Sequence, residues 1–580
     1  MSLLRSVDPR AAARGLFVGE VCEESFHPFP DQDPDDKEAC DLAVEAFREW
    51  AAERLDPEEI DRREEIPEQV RREMGELGML GLTVPEEYGG AGFSYTAYCR
   101  FVEEVTRTDA SLAVFLGAHL SIGARPLILF GTDEQKRRYL PEVASGEAIC
   151  AFALTEPGAG SDAGALRTRA VWDAERGEYR LDGNKIWITN GGYAKLFTVF
   201  ARTEGGPEGA GDRGVSGFLV ERGTPGFSNG PSEHKLGIRG TSTTELAFQD
   251  VRVPADHRVG PPGEGFQIAL ETLATGRLSL GAGCAGAAKG CIAAAVAHGR
   301  ERKQFKKPII SFGMIREKIG RMVARTFAAE SAAYLTTGLY DRTNLDLMIE
   351  TGYCKILGSE VLWDVVNDTI QIVGGIGYMA DYPYQRHLRD SRINLIFEGT
   401  NEILRLMGTL EGLKEPARRD AERRRAEKAG LAADAVAHAA DRGPAGHAPD
   451  LRWVADELAE PRDAFADALE RFRDGVQRAI ARHRRRIVAE QYTLRRLADC
   501  AIVLYSMAAC LSRTSTRIER DGADRATREI LLTRRWIDEG HRRVSHELDA
   551  LDTRADGYDD AIAELLVEEG RYPAPLFGQS

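Results

Sequence analysis

The sequence predicts an α+β protein built from four consecutive blocks: helical, β, helical and helical again. Three observations predict it. Apolar residues recur at near-helical spacing from Lys37 to about Gly146. The texture then changes to short alternating runs divided by Gly and Pro clusters, over 148–262. From Phe266 helical periodicity returns, with Leu362, Val365, Val366, Thr369, Ile370 and Val373 on one stripe. Helices and strands segregated in this way point to an α+β plan rather than a βαβ series.

In the first block, 1–147, Leu42, Phe47 and Trp50, then Val102, Val105 and Leu112, mark helix faces. The stretch 86–92, rich in glycine, interrupts them as a loop. In the second block, 148–262, residues 179–181, the Asp182-Gly183-Asn184 turn, and Ile186 with Ile188 predict a hairpin. Runs 196–201, 217–220, 246–248 and 251–253 predict further strands of a small antiparallel β-domain. The third block, 263–410, predicts a helix bundle. The fourth, 411–580, is a helical extension carrying Arg423-Arg424-Arg425 and Arg482-His483-Arg484-Arg485-Arg486. Interleaved acids read the first tract as a solvated helix face.

Composition narrows the function classes. The 580 residues carry a formal net charge of -16, which argues against a general nucleic-acid binder and suits an acidic surface for a protein partner. Nine scattered cysteines without a Cys-x-x-Cys pair predict reduced thiols. Arg5, Arg10 and Arg14 near the start faintly resemble a transit peptide, but Asp8, Glu20, Glu23 and Glu24 argue against one, so a cytoplasmic, bacterial-type protein is expected. No apolar run is expected to reach the ~18 residues a membrane span needs, and the longest candidate, 500–511, reads as a buried helix.

Four clusters carry candidate chemistry. Residues 154–164 (LTEPGAGSDAG) combine glycines, which allow backbone to approach a ligand, with the hydroxyls of Thr155 and Ser161. The glycine spacing and the missing βαβ context exclude a dinucleotide fingerprint. Residues 185–192 (KIWITNGG) place Trp187 where it packs in a core or flanks a flat ring. Residues 371–377 (QIVGGIG) follow a helix, as a C-cap does, or set glycine backbone against an adenine or pyrophosphate. In 396–405 (IFEGTNEILR), Thr400 is the candidate N-cap, so Glu398 stands just before a helix start. A carboxylate in an apolar setting there would serve as a base near neutral pH. No metal site is predicted.

Together these residues resemble the acyl-CoA dehydrogenase family, within it most closely the very-long-chain branch, over about residues 16–410. The resemblance is densest in 116–123, 144–147 and the four clusters, and the length of 411–580 is similar to that branch's extra helical domain. It implies FAD as cofactor. Phe152, Leu154, Thr155 and Gly160 would lie along the flavin, Ser161 would contact FAD and the pantetheine arm, and Trp187 and Thr189 would sit at the flavin's other side. Arg302, Phe305, Gln371, Gly374 and Gly375 would reach across a homodimer to the neighbour's FAD, with Thr400 and Glu402 completing the site. Arg277, Phe397 and Gly399 would contact the acyl-CoA, as a local cationic exception in an acidic chain. Glu398 would be the base that takes the α-proton as a hydride leaves Cβ for FAD, forming a trans-2-enoyl-CoA in fatty-acid β-oxidation.

Gly117 and Ala118, where shorter-chain relatives carry polar side chains, imply long acyl chains. The resemblance also implies electron-transfer flavoprotein as acceptor and peripheral membrane contact through 411–490. Lys306 departs from it, standing where the family usually has glycine, and Ala274 stands where the branch often has a polar residue. Two other readings remain: an assembly or scaffold protein on the same fold, and an acyl-CoA oxidase.

Overall fold

The computed structural model describes residues 8, 12–207, 213–429 and 449–570. The principal helices before the sheet are α1 (Pro34–Arg54), α2 (Tyr95–Thr108), α3 (Ala110–Gly117) and α4 (Asp133–Ser145). Asp33 caps α1, Ser94 caps α2, Asp109 caps α3, and Thr132 with Gln135 forms a capping box on α4. Asp109 is the hinge: it ends α2 and its Oδ1 accepts the N–H of Leu112, so Val105 and Leu112 belong to different helices. Leu42 departs from its expected place; it is 62% exposed, while Phe47 is fully buried.

Eight strands follow: β1 (Cys150–Ala153), β2 (Arg169–Asp173), β3 (Glu178–Thr189), β4 (Leu196–Glu204), β5 (Arg213–Glu221), β6 (Phe227–Asn229), β7 (Thr243–Pro254) and β8 (Arg258–Val259). The order is β6-β7-β3-β2-β4-β5-β8, with β1 also on β4. The sheet is mixed rather than wholly antiparallel, because β1 and β2 both run parallel to successive parts of β4. They run one after the other along one side of β4, and the Gly-rich stretch 154–168 is an excursion between them.

The hairpin expected at Asp182-Gly183 is absent. Residues 178–189 form one strand that pairs with β7 along its length, and Gly183 sits at a bulge. A Cβ on Gly183 would come 2.5 Å from Thr168 Oγ1, so glycine is needed there for close packing rather than for a reversal. The reversal lies at 173–178, where Asp173 Oδ1 accepts the N–H groups of Glu175 and Arg176.

Three long helices then pack together: α5 (Gly265–Glu301), α6 (Gly313–Arg342) and α7 (Met348–Val373). Gly281 and Gly358 let α5 and α7 approach closely, a Cβ on Gly281 meeting Cys354 O at 2.8 Å, and Gly283 and Gly286 do the same for α5 against α2, facing Thr106 and Glu103. Two stretches, Ala110–Phe130 and Gly265–Glu301, are long and apolar enough to cross a membrane by length and composition, contrary to expectation. Both are core elements here, flanking the cavity described below. After α8 (Tyr384–Arg392) and α9 (Asn401–Gly412) come α10 (Lys414–Lys428), α11 (Ala459–His483), α12 (Gln491–Asp521), α13 (Thr527–Asp549) and α14 (Ala555–Glu569).

The extension is anchored by α12, whose residues 500–511 are all buried. Tyr505 shares a 2.8 Å hydrogen bond with Thr336 of α6, and Arg513 bridges to Glu330 at 2.8 Å. The nine cysteines are free.

Candidate active site

The site is built on a strained turn. Glu398 has φ +60° and Gly399 has φ +91°, two consecutive left-handed residues between α8 and α9. A non-glycine residue there costs about 1–3 kcal/mol and must be held. Two buried cations from different helices hold it. Arg277 of α5 donates from Nε to Glu398 O at 3.0 Å, and Lys355 of α7 donates from Nζ to Gly399 O at 2.9 Å and Asn401 Oδ1 at 2.7 Å. Thr400 caps α9 by accepting Ile403 N–H at 3.4 Å. Arg277, expected from the resemblance as an acyl-CoA contact, spends its Nε on this turn, and its Nη1 is buried without a partner.

The carboxyl itself is unsupported. Glu398 Oε2 is sealed from solvent and makes no hydrogen bond, although the residue opens onto a cavity of about 510 Å³. Burial pushes its pKa up to about 7, against the opposing charges of Arg277 and Lys355. Gly276 makes the space: a Cβ there would lie 2.4 Å from Oε2. Among the described residues the backbone N–H of Glu398 donates to nothing in the chain. A carboxyl of raised pKa and a backbone N–H without a partner among the described residues thus belong to one residue at the cavity wall.

The opposite wall comes from the sheet. Glu156 pins the 154–168 excursion: its carboxylate accepts Arg167 N–H at 2.5 Å and Thr168 N–H at 2.9 Å, and it pairs with fully buried Lys185 at 2.8 Å. Lys185 also donates to Leu154 O at 2.9 Å, so the second cluster holds the first in place. Immediately after Lys185 the β3–β7 register slips, and Trp187, at φ +56°, is turned out of the sheet with 64% exposure.

A π-helical turn, 118–123, closes the side of the cavity. Its His119 is structural. Nδ1 accepts Cys150 N–H at 3.0 Å, so Nε2 carries the proton toward Leu80 O, and burial lowers its pKa to about 4.

Phe152, Leu154, Thr155, Gly160, Ser161, Trp187, Thr189, Gly117, Ala118, Arg277, Phe397, Glu398 and Gly399 all line this one cavity. Seven other expected site residues do not. Arg302, Phe305, Gln371, Gly374, Gly375 and Glu402 are on the exposed surface, and Thr400 serves as the cap just described. Gly374 is the C-cap of α7, at φ +68°. Lys355, Gly276, Asp390 and Asn394 were not singled out. Lys355 left a signal, a lone cation in the apolar run Tyr353-Cys354-Lys355-Ile356-Leu357. The roles of the other three depend on contacts far along the chain.

The walls fit the isoalloxazine of FAD. Trp187 offers an uncovered aromatic face beside Thr189 and Thr155, and a Cβ on Gly158 or Gly160 would meet nothing within 4 Å, leaving that loop's backbone open to close approach.

Comparison with known proteins agrees. Family profiles described as the N-terminal, middle and C-terminal domains of acyl-CoA dehydrogenase match residues 37–147, 151–251 and 263–409, and one described as the ACAD9/ACADV C-terminal domain matches 456–571. The mitochondrial very long-chain specific acyl-CoA dehydrogenase of Homo sapiens is 38% identical over 578 residues, covering 97% of this chain and 88% of that protein. The crystal structure of an acyl-CoA dehydrogenase with FAD from Bacillus anthracis superposes with a TM-score of 0.79 at 32% identity, covering 92% of this chain and 91% of that one. Butyryl-CoA dehydrogenase from Megasphaera elsdenii gives a TM-score of 0.61 at 36% identity, over 65% of this chain and 98% of that one. The chain therefore belongs to the acyl-CoA dehydrogenase family and is an FAD-dependent oxidoreductase acting on acyl-CoA.

Proposed function

We propose that the protein oxidises long-chain acyl-CoA thioesters to trans-2-enoyl-CoA, with Glu398 as the base and electron-transfer flavoprotein as the acceptor. The observation that carries this reading is the carboxyl of Glu398 at the cavity, its Oε2 buried without a partner and its pKa raised to about 7. Such a group is ionised often enough at neutral pH to accept a proton and is basic enough to hold it.

A thioester whose carbonyl oxygen meets the free N–H of Glu398 gains support for the negative charge that develops as the α-proton leaves. One such donor contributes about 3–4 kcal/mol. Bound FAD supplies the acceptor for the hydride equivalent lost from Cβ. Residues Phe152, Leu154, Thr155, Trp187 and Thr189 would hold its ring; with ring and thioester in place, the largely apolar lining would leave little room for water at the reacting atoms.

Long-chain preference is supported by small residues along the cavity. Gly117 and Ala118 leave it open at one side, and at the helix wall a Cβ on Gly283 would press within 2.7 Å of Thr106 Oγ1. Arg277 is the one cation among the lining residues, and its Nε is engaged by Glu398 O.

A homodimer is supported by the exposure of Arg302, Gln371, Gly374, Gly375 and Phe305, the last 88% exposed on a two-stranded hairpin at the end of α5. These would complete the FAD site of a second copy. For the membrane, the acids of α10 pair with Arg418, Arg419, Arg423 and Arg424, which favours the solvated reading of the first basic tract. The exposed tip at Arg484, Arg485, Arg486 and Val488 is the part of 411–490 suited to an anionic surface; 430–448 lies outside the described residues.

The test is anaerobic addition of palmitoyl-CoA to the purified yellow protein. Bleaching of the bound flavin is expected, and its absence would favour a scaffold role. Faster turnover with oxygen than with electron-transfer flavoprotein would indicate an oxidase.

A further inference from the structure

Among the described residues of the extension, none lines the cavity. Any part that 411–580 has in the reaction must therefore pass through an element that does. α9 is such an element. It begins directly after Thr400, so it continues the strained turn of Glu398 and Gly399, and its Ile403, Leu404 and Met407 form part of the cavity wall. A short helix moves as one rigid piece, so whatever fixes α9 also fixes the place where the turn ends.

α9 packs against α7 on one side and α12 of the extension on another. Two ties run to α12: Arg405 donates from Nε to Asp499 Oδ1 at 2.8 Å, and Thr409 Oγ1 donates to Leu494 O at 3.2 Å. Toward α7 the same guanidinium grips Glu360 twice, from Nη1 to Oε1 at 2.8 Å and from Nη2 to Oε2 at 3.0 Å. Charge-assisted bonds of this forked kind fix orientation as well as distance. Glu360 Oε1 also accepts from Asn401 Nδ2 at 3.2 Å, and Asn401 Oδ1 accepts from Lys355, the residue that holds Gly399 O. A line of hydrogen bonds thus runs from Asp499 through Arg405, Glu360, Asn401 and Lys355 to the carbonyl of Gly399. Its extension end is secured in turn, since Asp499 Oδ2 accepts from Arg495 at 2.8 Å and Arg495 pairs with Glu547 of α13 at 3.3 Å.

We propose that the C-terminal extension braces the catalytic turn, with Asp499 as a positioning residue that acts through Arg405. Without Asp499, Arg405 keeps Glu360 but loses its tie to α12, and α9 is free to shift against α7. The turn shifts with it, because Glu398 and Gly399 lead straight into α9. The flavin wall, which comes from the sheet, is not touched by this movement.

This inference rests on the dehydrogenase reading above, and the experiment separates the two. With full-length holoprotein and palmitoyl-CoA, kcat, KM, flavin content and the acid limb of the pH profile are measured for the native protein and for Asp499→Ala, Asp499→Glu, Thr409→Val and Glu547→Gln. Thr409→Val is nearly isosteric, removes only the second tie, and serves if Asp499→Ala does not fold. Glu547→Gln weakens a contact inside the extension that does not reach α9.

Asp499→Ala should lower kcat by about tenfold, the scale of a coupling carried through such a network, with KM and flavin content near native. Its acid limb should move to lower pH, because a carboxyl released from its dry position is more easily hydrated. Asp499→Glu should recover most of the loss, Thr409→Val should show a smaller loss in the same direction, and Glu547→Gln should match the native protein. A lower Tm with native kcat and a native acid limb, in Asp499→Ala or in Thr409→Val if the first does not fold, would mean that the ties support only the fold. The inference would then fall while the dehydrogenase stands. If the native flavin is not reduced by palmitoyl-CoA, the dehydrogenase reading falls and takes this one with it.

Discussion

Two groups of candidate site residues sit in opposite circumstances. The group around Glu398 is assembled inside one chain: α5 and α7 hold the strained turn, the sheet supplies the facing wall, and thirteen expected residues meet at one cavity. The group of Arg302, Phe305, Gln371, Gly374 and Gly375 lies on the surface, with Phe305 88% exposed. The first group can be tested as chemistry; the second makes sense as the complement of another surface. On the function proposed above, the base is assembled within one subunit, whereas the surface group would act only across a contact with a second copy.

The sharpest way to break that contrast is Gly276→Ala. The added Cβ would fall 2.4 Å from Glu398 Oε2 and displace the base. Turnover should drop by about 10²-fold, as expected for a misplacement of about 1 Å, while bound flavin stays at the native level. Loss of flavin instead would mean that the inner group is not purely catalytic.

Arg302→Ala probes the other side. Cofactor affinity should weaken by about tenfold, the loss of a hydrogen bond to a charged group, and the dimer should dissociate more readily in sedimentation. The acid limb of the pH profile should not move. An unaltered FAD affinity would remove the surface group from the site.

The pH dependence follows from the raised carboxyl. kcat/KM should rise with pH through about 7, as Glu398 ionises. Stability should move the other way. Between the unfolded value of 4.5 and about 7, the folded protein keeps a proton that the unfolded chain has lost, so stability falls as pH rises across that window. Glu398→Gln removes the ionisation, and its apoprotein should melt higher than native at pH 8 and equally at pH 4.5. Equal Tm values at both would place the carboxyl in a wetter setting than the cavity.

The smallest effect is expected at Lys306, whose φ of +68° follows Phe305 at +49° in the surface hairpin. Lys306→Gly should relieve about 1 kcal/mol of left-handed strain and leave turnover unchanged, seen as a modest rise in the chemical-denaturation midpoint.

Much of this was legible in the sequence, for identifiable reasons. The stripe on α7, the Thr400 cap and the Gly374 cap are local features of spacing and turn chemistry, and local rules locate them. The Asp182-Gly183 pair obeyed the same local rules and misled, because both flanks found partners on β7, a tertiary fact invisible in a short window. The parallel pairing of β1 and β2 on β4 was hidden for the same reason. At the site, Glu398 stood out through its place before a helix. Gly276, Lys355 and Asp390 did not, since each acts on a residue 44 or more positions away: Gly276 on Glu398, Lys355 on Gly399, Asp390 on Ile238.

The account stands most directly on an anaerobic titration of Glu398→Gln with palmitoyl-CoA, followed by the visible absorbance of the flavin. The variant should purify yellow, with native flavin content, and bind the thioester without bleaching, whereas the native protein bleaches at once. Bleaching of the variant at the native rate would show that another group removes the proton, and would contradict the role assigned to this carboxyl.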